Sequence, residues 1–151
     1  MSDIEQIALC TIIERYHAAM FAVTKRAEAE LRAHLGGLQL TLEQFSIMRY
    51  IRGNPSCTST ELAEAFGVGK SAITSLITRL ANKSYLIRIP DVSDRRMIHL
   101  QLTEAGISAT DETDVQMERW LSRYLQYFSP EEVETFIASF EKLASLMTSE
   151  S

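Results

Sequence analysis

Apolar residues recur every three to four positions along most of this chain, and that spacing predicts amphipathic helices. Six helices are expected, over residues 4–34, 42–52, 59–66, 70–84, 104–128 and from 130 onwards. Two short segments rich in Ile and Leu predict antiparallel strands, at residues 86–90 and 97–102. No internal repeat and no long linker interrupts this order. The sequence therefore predicts a single domain over residues 1–151 that is mainly α-helical with one small β-hairpin.

Local capping signals support several of the helix boundaries. Thr58 and Glu61 have the spacing of a capping box, in which the two side chains satisfy backbone amides at the start of the third helix. Thr103 is placed to cap the fifth helix. The sixth helix has an N-cap serine at Ser129, followed by Pro130 at a position that tolerates proline. These signals locate the helix starts independently of the apolar spacing.

The third and fourth helices are joined by a glycine-containing turn and followed by the hairpin, which is the outline of a winged helix-turn-helix. The fourth helix has a predicted buried stripe formed by Ile73, Leu76, Ile77 and Leu80. Its opposite face carries only small uncharged side chains, namely Ser71, Thr74, Ser75 and Thr78. A solvated helix face usually carries Lys and Glu, whereas small side chains let a helix approach base edges in a major groove about 12 Å wide. The alternative, an ordinary polar face, stays open on this feature alone.

The turn between the two predicted strands, residues 91–96, carries Arg95 and Arg96 side by side. Two arginines at the tip of a hairpin suit insertion into a minor groove, because narrow A·T tracts concentrate negative potential there. The alternative is a solvated loop in which Asp91 or Asp94 neutralises the arginines. The position of the loop, directly after a helix-turn-helix, favours a DNA-binding wing.

The distribution of charge predicts that the central segment of the chain binds a nucleic acid, although the net charge is −5. Residues 49–96 hold eight basic and four acidic residues, a net charge of +4, whereas residues 1–48 carry −2 and residues 97–151 carry −7. Screening at cellular salt confines each charge to roughly 8 Å, so a local basic region attracts phosphate even in an acidic protein.

Composition argues against several other classes of protein. The 151 residues are 46% hydrophobic with 6 Gly and 3 Pro, which is typical of a packed globular domain. No apolar run approaches the roughly 18 residues that a membrane span requires, and the chain starts with acidic residues where a signal peptide has basic ones. We therefore expect a cytoplasmic protein without a membrane partner.

Catalytic and metal-binding patterns are not found in the sequence. The three histidines lack the spacing of helix-borne metal ligands, and no phosphate-binding loop or nucleophile elbow is present. A non-enzyme without cofactor or metal is expected. Cys10 and Cys57 are too few for a disulfide framework. Cys10 is predicted to be buried and structural, and Cys57 lies in a polar turn that permits exposure, so a redox role stays open.

The chain resembles the MarR family of transcription regulators. The resemblance rests on the order of elements and on four segments: Glu61-Leu-Ala63, the recognition-helix segment from Ser71 to Leu80, Asp91-Val-Ser-Asp-Arg-Arg96, and Leu102-Thr-Glu-Ala-Gly106. It implies a winged lobe at residues 41–103 and a homodimer formed through helices at residues 1–35 and 104–151. It also implies a palindromic operator in double-stranded DNA, a repressor function, and a small effector bound between the dimerisation helices and the lobe.

Two sets of site residues are predicted from these patterns and the resemblance. The DNA-binding set is Thr58, Ser59, Thr60, Lys70, Ser71, Ala72, Thr74, Ser75, Thr78, Arg79, Lys83, Asp94, Arg95 and Arg96. A small apolar or aromatic effector is predicted to contact Tyr16, His17, Met20, Phe45 and Met48, because Met and Tyr suit an adaptable apolar site.

Four positions differ from residues that are frequent in the family. Ser75 and Ser93 stand where arginine is frequent, Thr78 stands where aspartate is frequent, and Ser84 stands where a helix-ending glycine is frequent. These differences bear on the operator sequence. A second function class also stays open, a winged-helix module for protein–protein interaction in which the basic centre meets an acidic partner.

Overall fold

The computed structural model describes residues 3–149, and the side chains of residues 8–149. The chain divides into two compact units, residues 1–42 and 43–151. The described part has the helices α1 (Asp3–Leu35), α2 (Leu42–Gly53), α3 (Ser59–Phe66), α4 (Lys70–Asn82), α5 (Glu104–Leu125) and α6 (Pro130–Ser149). The strands β1 (Leu86–Pro90) and β2 (Ile98–Leu102) lie between α4 and α5. The predicted fold class, mainly helical with one hairpin, is confirmed.

The first unit consists of α1 and the segment that follows it. The carboxyl-terminal part of this unit buries Ala27, Leu31, Leu35 and Leu40. The preceding turns of α1 leave a run of large apolar side chains exposed, including Ile12, Ile13, Phe21 and Val23. The predicted amphipathic helix is therefore present, but only its last turns bury their apolar residues within one chain.

The core of the second unit lies under the helix-turn-helix and the hairpin. The predicted stripe of α4 is buried throughout, and Leu62 of α3 is fully buried as well. The two strands pair antiparallel, with Leu86 opposite Leu102 and Arg88 opposite Leu100. Leu86, Leu100 and Leu102 are buried, so the hairpin closes the core on one face.

Hydrogen bonds join the hairpin to the start of α3. His99 of β2 forms an isolated antiparallel bridge with Thr58. The amide of the next residue, Leu100, donates to the carbonyl oxygen of Cys57 at 2.8 Å. Thr58 caps α3 through the predicted capping box with Glu61. The strand β2 of the wing is thus hydrogen-bonded to the residues directly before α3.

A close backbone contact fixes the start of α5 beside the start of the hairpin. Thr103 accepts from the Gly106 amide at 3.0 Å and donates to the Ser84 carbonyl oxygen at 2.7 Å. A Cβ at position 106 would overlap the carbonyl oxygen of Tyr85. Glycine is therefore required at this position for steric reasons, whatever its backbone angles.

Two ion pairs connect α2 to α5 within the second unit. Arg49 lies 3.3 Å from Asp114, and Arg52 pairs with Asp111 and also donates to the Ile107 carbonyl oxygen at 3.4 Å. Both arginines belong to the basic middle of the sequence. Acidic residues of α5 offset part of their charge, which distinguishes them from the cations of this region that make no ion pair among the described residues.

Several element boundaries differ slightly from the prediction, and three of these differences have a local cause. α4 ends at Asn82 because Ser84, two residues further on, adopts a left-handed backbone with φ of +61°. β2 begins at Ile98 because the Met97 amide donates to the Asp94 carbonyl oxygen within the turn. α5 ends at residue 125 rather than about 128, where two successive amides bond carbonyls three residues back and tighten the chain into a turn.

The expected burial of Cys10 was wrong, and Cys57 is buried although it lies in a polar turn that permits exposure. Cys10 is exposed, because Leu9 and Ile13 beside it are also uncovered in a single chain. Cys57 is buried, and its carbonyl oxygen accepts the hydrogen bond from the Leu100 amide. Burial, with a smaller contribution from the negative charge of Glu61, raises the pKa of the Cys57 thiol and lowers its thiolate fraction.

The helices of the described residues include no segment with the length and apolar character of a membrane span.

Candidate DNA-binding surface

The face of α4 opposite its buried stripe is exposed, as predicted. Ser71, Ala72, Thr74, Ser75 and Thr78 all lie on the exposed side. The stripe itself is packed tightly, since Ile73 and Leu80 have no exposed surface. The short side chains leave the helix backbone accessible to a groove, which is what direct contact with base edges requires.

The hydroxyl groups of this face differ in what they can offer to DNA. Thr74 donates its hydroxyl proton to the Lys70 carbonyl oxygen at 2.8 Å, so only its acceptor lone pairs remain available. Thr78 accepts from the Arg88 guanidinium at 2.8 Å and keeps its own donor. Ser71 and Ser75 make no side-chain hydrogen bond within the described residues. These two serines are therefore the least restricted polar groups on the face.

Arg88 is a part of this surface that the predicted DNA-binding set does not include. It follows the buried Leu86 by two residues on β1, so it shares the strand face that is turned towards α4. From there it reaches Thr78. The two-residue period of the strand was the signal that could have identified it.

Cations lie at both ends of the exposed face. Lys70 starts α4 and Arg79 lies in its last turn, and both side chains are exposed without an ion pair among the described residues. Lys83 follows the helix and is half-buried, with its ammonium 3.5 Å from the Gln44 side-chain oxygen. The predicted phosphate contacts are thus better placed at Lys70 and Arg79 than at Lys83.

Among the residues at the start of α3 that were predicted to bind DNA, Thr58 stabilises the helix start. The Thr58 hydroxyl accepts from the Glu61 amide at 3.2 Å, and the Glu61 carboxylate accepts from the Thr58 amide at 2.7 Å. Thr58 and Ser59 are half-buried, and Thr60 is exposed. The capping box explains Thr58 without reference to DNA, whereas Thr60 has a side chain open to a partner.

The tip of the wing presents its arginines to solvent. Arg95 and Arg96 are exposed and make no ion pair with any residue in the described range 3–149. Asp94 accepts from the Arg96 backbone amide at 2.9 Å, so it shapes the turn and does not pair with a guanidinium. The alternative in which aspartates neutralise these arginines is therefore not what the structure shows.

Asp91 organises the turn and is itself held by a histidine. Its Oδ1 accepts from the amides of Ser93 at 2.7 Å and Asp94 at 2.9 Å. Its Oδ2 lies 2.8 Å from His99 Nε2. The bond to His99, followed by the two amides, lowers the pKa of Asp91 to about 2, so this carboxyl group is ionised at neutral pH.

The predicted effector residues lie on two elements. On α1, Tyr16 and His17 make an edge-to-face ring contact at 5.6 Å, and Tyr16 and Met20 are partly exposed. On α2, Phe45 is buried and Met48 has no exposed surface. Met48 would therefore contact a ligand only after local rearrangement. The effector site stays a prediction.

Among the described residues, no group of three His, Cys, Asp or Glu side chains is arranged to hold a metal ion.

Taken together, α3, its turn, α4 and the hairpin define a winged helix-turn-helix protein, with an exposed polar helix face between cations and an exposed arginine pair on the wing. The sequence profile of the MarR family matches residues 40–98, which span α2 to the start of β2. This part of the chain therefore matches the MarR family of winged-helix transcription regulators, and the chain is similar to transcription regulators along most of its length.

Individual relatives agree with this assignment. The chain is 27% identical over 112 residues to the HTH-type transcriptional repressor MdtR of Bacillus subtilis (strain 168), covering 74% of this chain and 72% of the relative. A crystal structure of a MepR-like protein complexed with pseudoligands is 28% identical with a TM-score of 0.68, covering 91% of this chain and 96% of that chain. Streptococcus pneumoniae FabT in complex with DNA has a TM-score of 0.77 at 20% identity, covering 93% and 99%, which shows a shared fold.

Proposed function

We propose that this DNA-binding regulator represses transcription by binding a palindromic operator as a homodimer. In this proposal α4 lies in the major groove, where Ser71 and Ser75 contact base edges. Lys70 and Arg79 contact phosphates, and the wing arginines enter the adjacent minor groove. The observation that carries the proposal is an exposed face of small polar residues set between unpaired cations. MdtR is itself a repressor and FabT was crystallised with DNA, which supports the same function here.

Exposed apolar surface supports the homodimer. No residue of α6 is buried, although Phe136, Ile137 and Phe140 form an apolar stripe along it. Tyr124 and Leu125 near the end of α5 are exposed as well. Apolar surface of this extent promotes association. A two-fold dimer presents two recognition helices about 34–36 Å apart, one turn of DNA, and that geometry requires a palindromic site.

Selection of binding sites from random duplex DNA tests the proposal directly. We expect an enriched palindrome whose half-sites are one helical turn apart. Enrichment of no sequence would contradict it and would favour the protein–protein interaction module. Binding to an acidic protein partner would weaken with salt in the same way, so salt dependence alone does not separate the two functions.

The wing arginines are tested by the salt dependence of binding. The double variant Arg95→Ala, Arg96→Ala should weaken binding to all sequences and reduce the salt slope by about one to two units, since each neutralised phosphate contributes about 0.9. The matched control is Arg49→Ala, because Arg49 belongs to the same basic region but is paired with Asp114. The control should leave the slope unchanged, and an equal change in both proteins would reject the wing contact.

The recognition face is tested by a change of specificity. Ser75→Arg should shift the selected base preference towards guanine, because arginine pairs with O6 and N7. Ser108→Arg on the exposed surface of α5 adds the same charge away from α4 and should preserve the preference. If the two variants select the same sites as the wild type, α4 does not read the bases.

A small apolar or aromatic effector completes the proposal, together with a cytoplasmic location and the absence of catalytic activity. The MepR-like relative was crystallised with pseudoligands, which supports a ligand-responsive regulator. The competing signal is thiol oxidation. Cys57 is buried with a raised pKa, whereas Cys10 is exposed. The double variant Cys10→Ser, Cys57→Ser should keep its response to a panel of aromatic molecules, and loss of the response would assign the signal to a thiol.

A further inference from the structure

His99 of β2 lies between two groups that accept hydrogen bonds. Its Nε2 is 2.8 Å from Asp91 Oδ2, and its Nδ1 is 2.7 Å from the Ser56 carbonyl oxygen. A carbonyl oxygen only accepts, and so does an ionised carboxylate. Each ring nitrogen must therefore carry a proton for both bonds to form at once. The geometry is that of an imidazolium ion.

This imidazolium joins the wing to the helix-turn-helix. Ser56 belongs to the loop before α3 and holds a left-handed backbone with φ of +66°. Asp91, on the other side of His99, accepts from the Ser93 and Asp94 amides, and Asp94 accepts from the Arg96 amide. A continuous series of hydrogen bonds therefore runs from the loop before α3 to the tip of the wing.

We propose that His99 is a positioning residue for DNA binding, which holds the wing turn against the entrance of α3 through its doubly protonated ring. The inference rests on the proposed DNA contacts of Arg95 and Arg96. When the ring loses a proton, one of its two bonds must be lost, because one nitrogen then has a lone pair facing an acceptor. The His99 ring then bonds either to the Ser56 carbonyl oxygen or to Asp91 of the wing turn, but not to both, and the link between the turn and the loop before α3 is broken.

The charged surroundings favour the protonated ring. Asp91 faces it from the turn, and Glu61 contributes a second negative charge from α3. On β1 the residue in register with His99 is Ile89, which is uncharged. The hydrogen bond to Asp91, followed by the bond to Ser56, raises the pKa of His99 above its usual value. The bonded state is therefore complete below that raised pKa and is lost as the pH rises through it.

Nuclear magnetic resonance of the full chain without DNA tests the linkage. The amide resonances of Ser93, Asp94 and Arg96 should titrate with the same midpoint as the His99 ring, at a pKa above the usual value for histidine. In His99→Gln this titration should disappear from the amides. The matched control is His34→Gln, which changes an exposed histidine on α1 and should preserve it. Amides that do not follow the His99 ring would overturn the proposal.

Binding to a duplex at fixed salt tests the consequence for function. Raising the pH through the His99 midpoint should weaken wild-type binding about threefold to tenfold, the size expected for the net loss of one typical hydrogen bond. His99→Gln should bind at the weaker level across the whole range, and His34→Gln should behave as the wild type. A merely structural role would lower affinity without removing the pH dependence, so an unchanged pH profile in His99→Gln would overturn the proposal. Absence of DNA binding at every pH would instead reject the proposed function, and the amide titration would still decide the role of the ring.

Discussion

α4 and α6 are both amphipathic by sequence, yet only one of them is covered in a single chain. α4 has 13 residues and buries four of them in the core of the winged lobe. α6 has 20 residues and buries none. The same apolar periodicity therefore has two outcomes: α4 completes its packing within its own chain, whereas the apolar face of α6 stays uncovered in a single chain.

This difference separates two kinds of stability. The winged lobe is stabilised by contacts within one chain, and among the described residues no buried side-chain polar atom lacks a hydrogen-bond partner. In the proposed homodimer, the stability of α6 depends on association and hence on protein concentration. Substitutions in the two regions should accordingly be distinguishable by whether their effects depend on concentration.

The largest effect is expected from charges placed on the apolar face of α6. Phe136 and Phe140 stack with ring centroids 5.8 Å apart and are both exposed in the single chain. Buried aromatic residues at interfaces each contribute on the order of 2 kcal/mol or more. The double variant Phe136→Asp, Phe140→Asp should weaken the dimer about a thousandfold or more, equivalent to about 4 kcal/mol. Sedimentation equilibrium measures this change.

The control for this variant lies on the other side of the same helix. Glu134→Gln together with Glu141→Gln alters two exposed residues of α6 away from the phenylalanines and should leave association unchanged. Circular dichroism should show that the winged lobe keeps its helices in both proteins. A wild-type chain that sediments only as a 17.0 kDa species would remove the basis of the comparison.

The sequence predicted the elements well because their signals are local. Apolar spacing located the buried stripe of α4, and the capping boxes at Thr58 and Ser129 are both formed. The errors concern which apolar faces are covered, since periodicity identifies a face without identifying what packs on it. Cys10 was expected to be buried for this reason, and it is exposed on a part of α1 that one chain does not cover.

A second substitution tests the winged lobe from within. Gly106→Ala places a methyl group against the Tyr85 carbonyl oxygen, which belongs to backbone and has little freedom to move. Overpacking of this kind costs about 1–3 kcal/mol. Gly53→Ala is the matched control, because nothing lies within 4 Å of a Cβ at that position. Urea unfolding at fixed protein concentration should show the loss for Gly106→Ala alone, and equal midpoints would refute the close contact.

The candidate site was less accessible to sequence reasoning than the fold was. The exposed serines of α4 and the wing arginines follow from position along an element, and both lie where they were expected. The hydrogen bonds of Asp91 to His99 and of Arg88 to Thr78 join residues on different elements. The pattern of residues along one element does not predict which side chains of another element lie within hydrogen-bonding distance. The half-burial of Lys83 beside Gln44 was missed for the same reason.

A smaller effect on the free energy of unfolding is expected from the ion pair that connects α2 to α5 in the second unit. Arg52 and Asp111 pair at the surface between α2 and α5, and both side chains are substantially exposed. Exposed ion pairs contribute about 0.2–1 kcal/mol and are screened by salt. Asp111→Asn should lower the free energy of unfolding within that range at low salt and have no effect at high salt. The neighbouring Glu112→Gln is the control, and an equal loss in both variants would assign the effect to the net charge of α5.

The only expected gain in stability concerns the turn after α4. Ser84 has a left-handed backbone with φ of +61°, a conformation that costs a residue with a side chain about 1–2 kcal/mol. Glycine relieves this strain but loses about 0.4–1 kcal/mol through its greater freedom in the unfolded chain. Ser84→Gly should therefore raise the free energy of unfolding by the difference of these two contributions, about 0–1.6 kcal/mol. Ser84→Ala keeps the strain and removes the hydroxyl, so it should give no gain.

Urea unfolding at two protein concentrations should place the gain in the winged lobe, because a change confined to one chain leaves the concentration dependence unaltered. A loss of stability in Ser84→Gly would mean that the serine hydroxyl, rather than the backbone, determines how α4 ends.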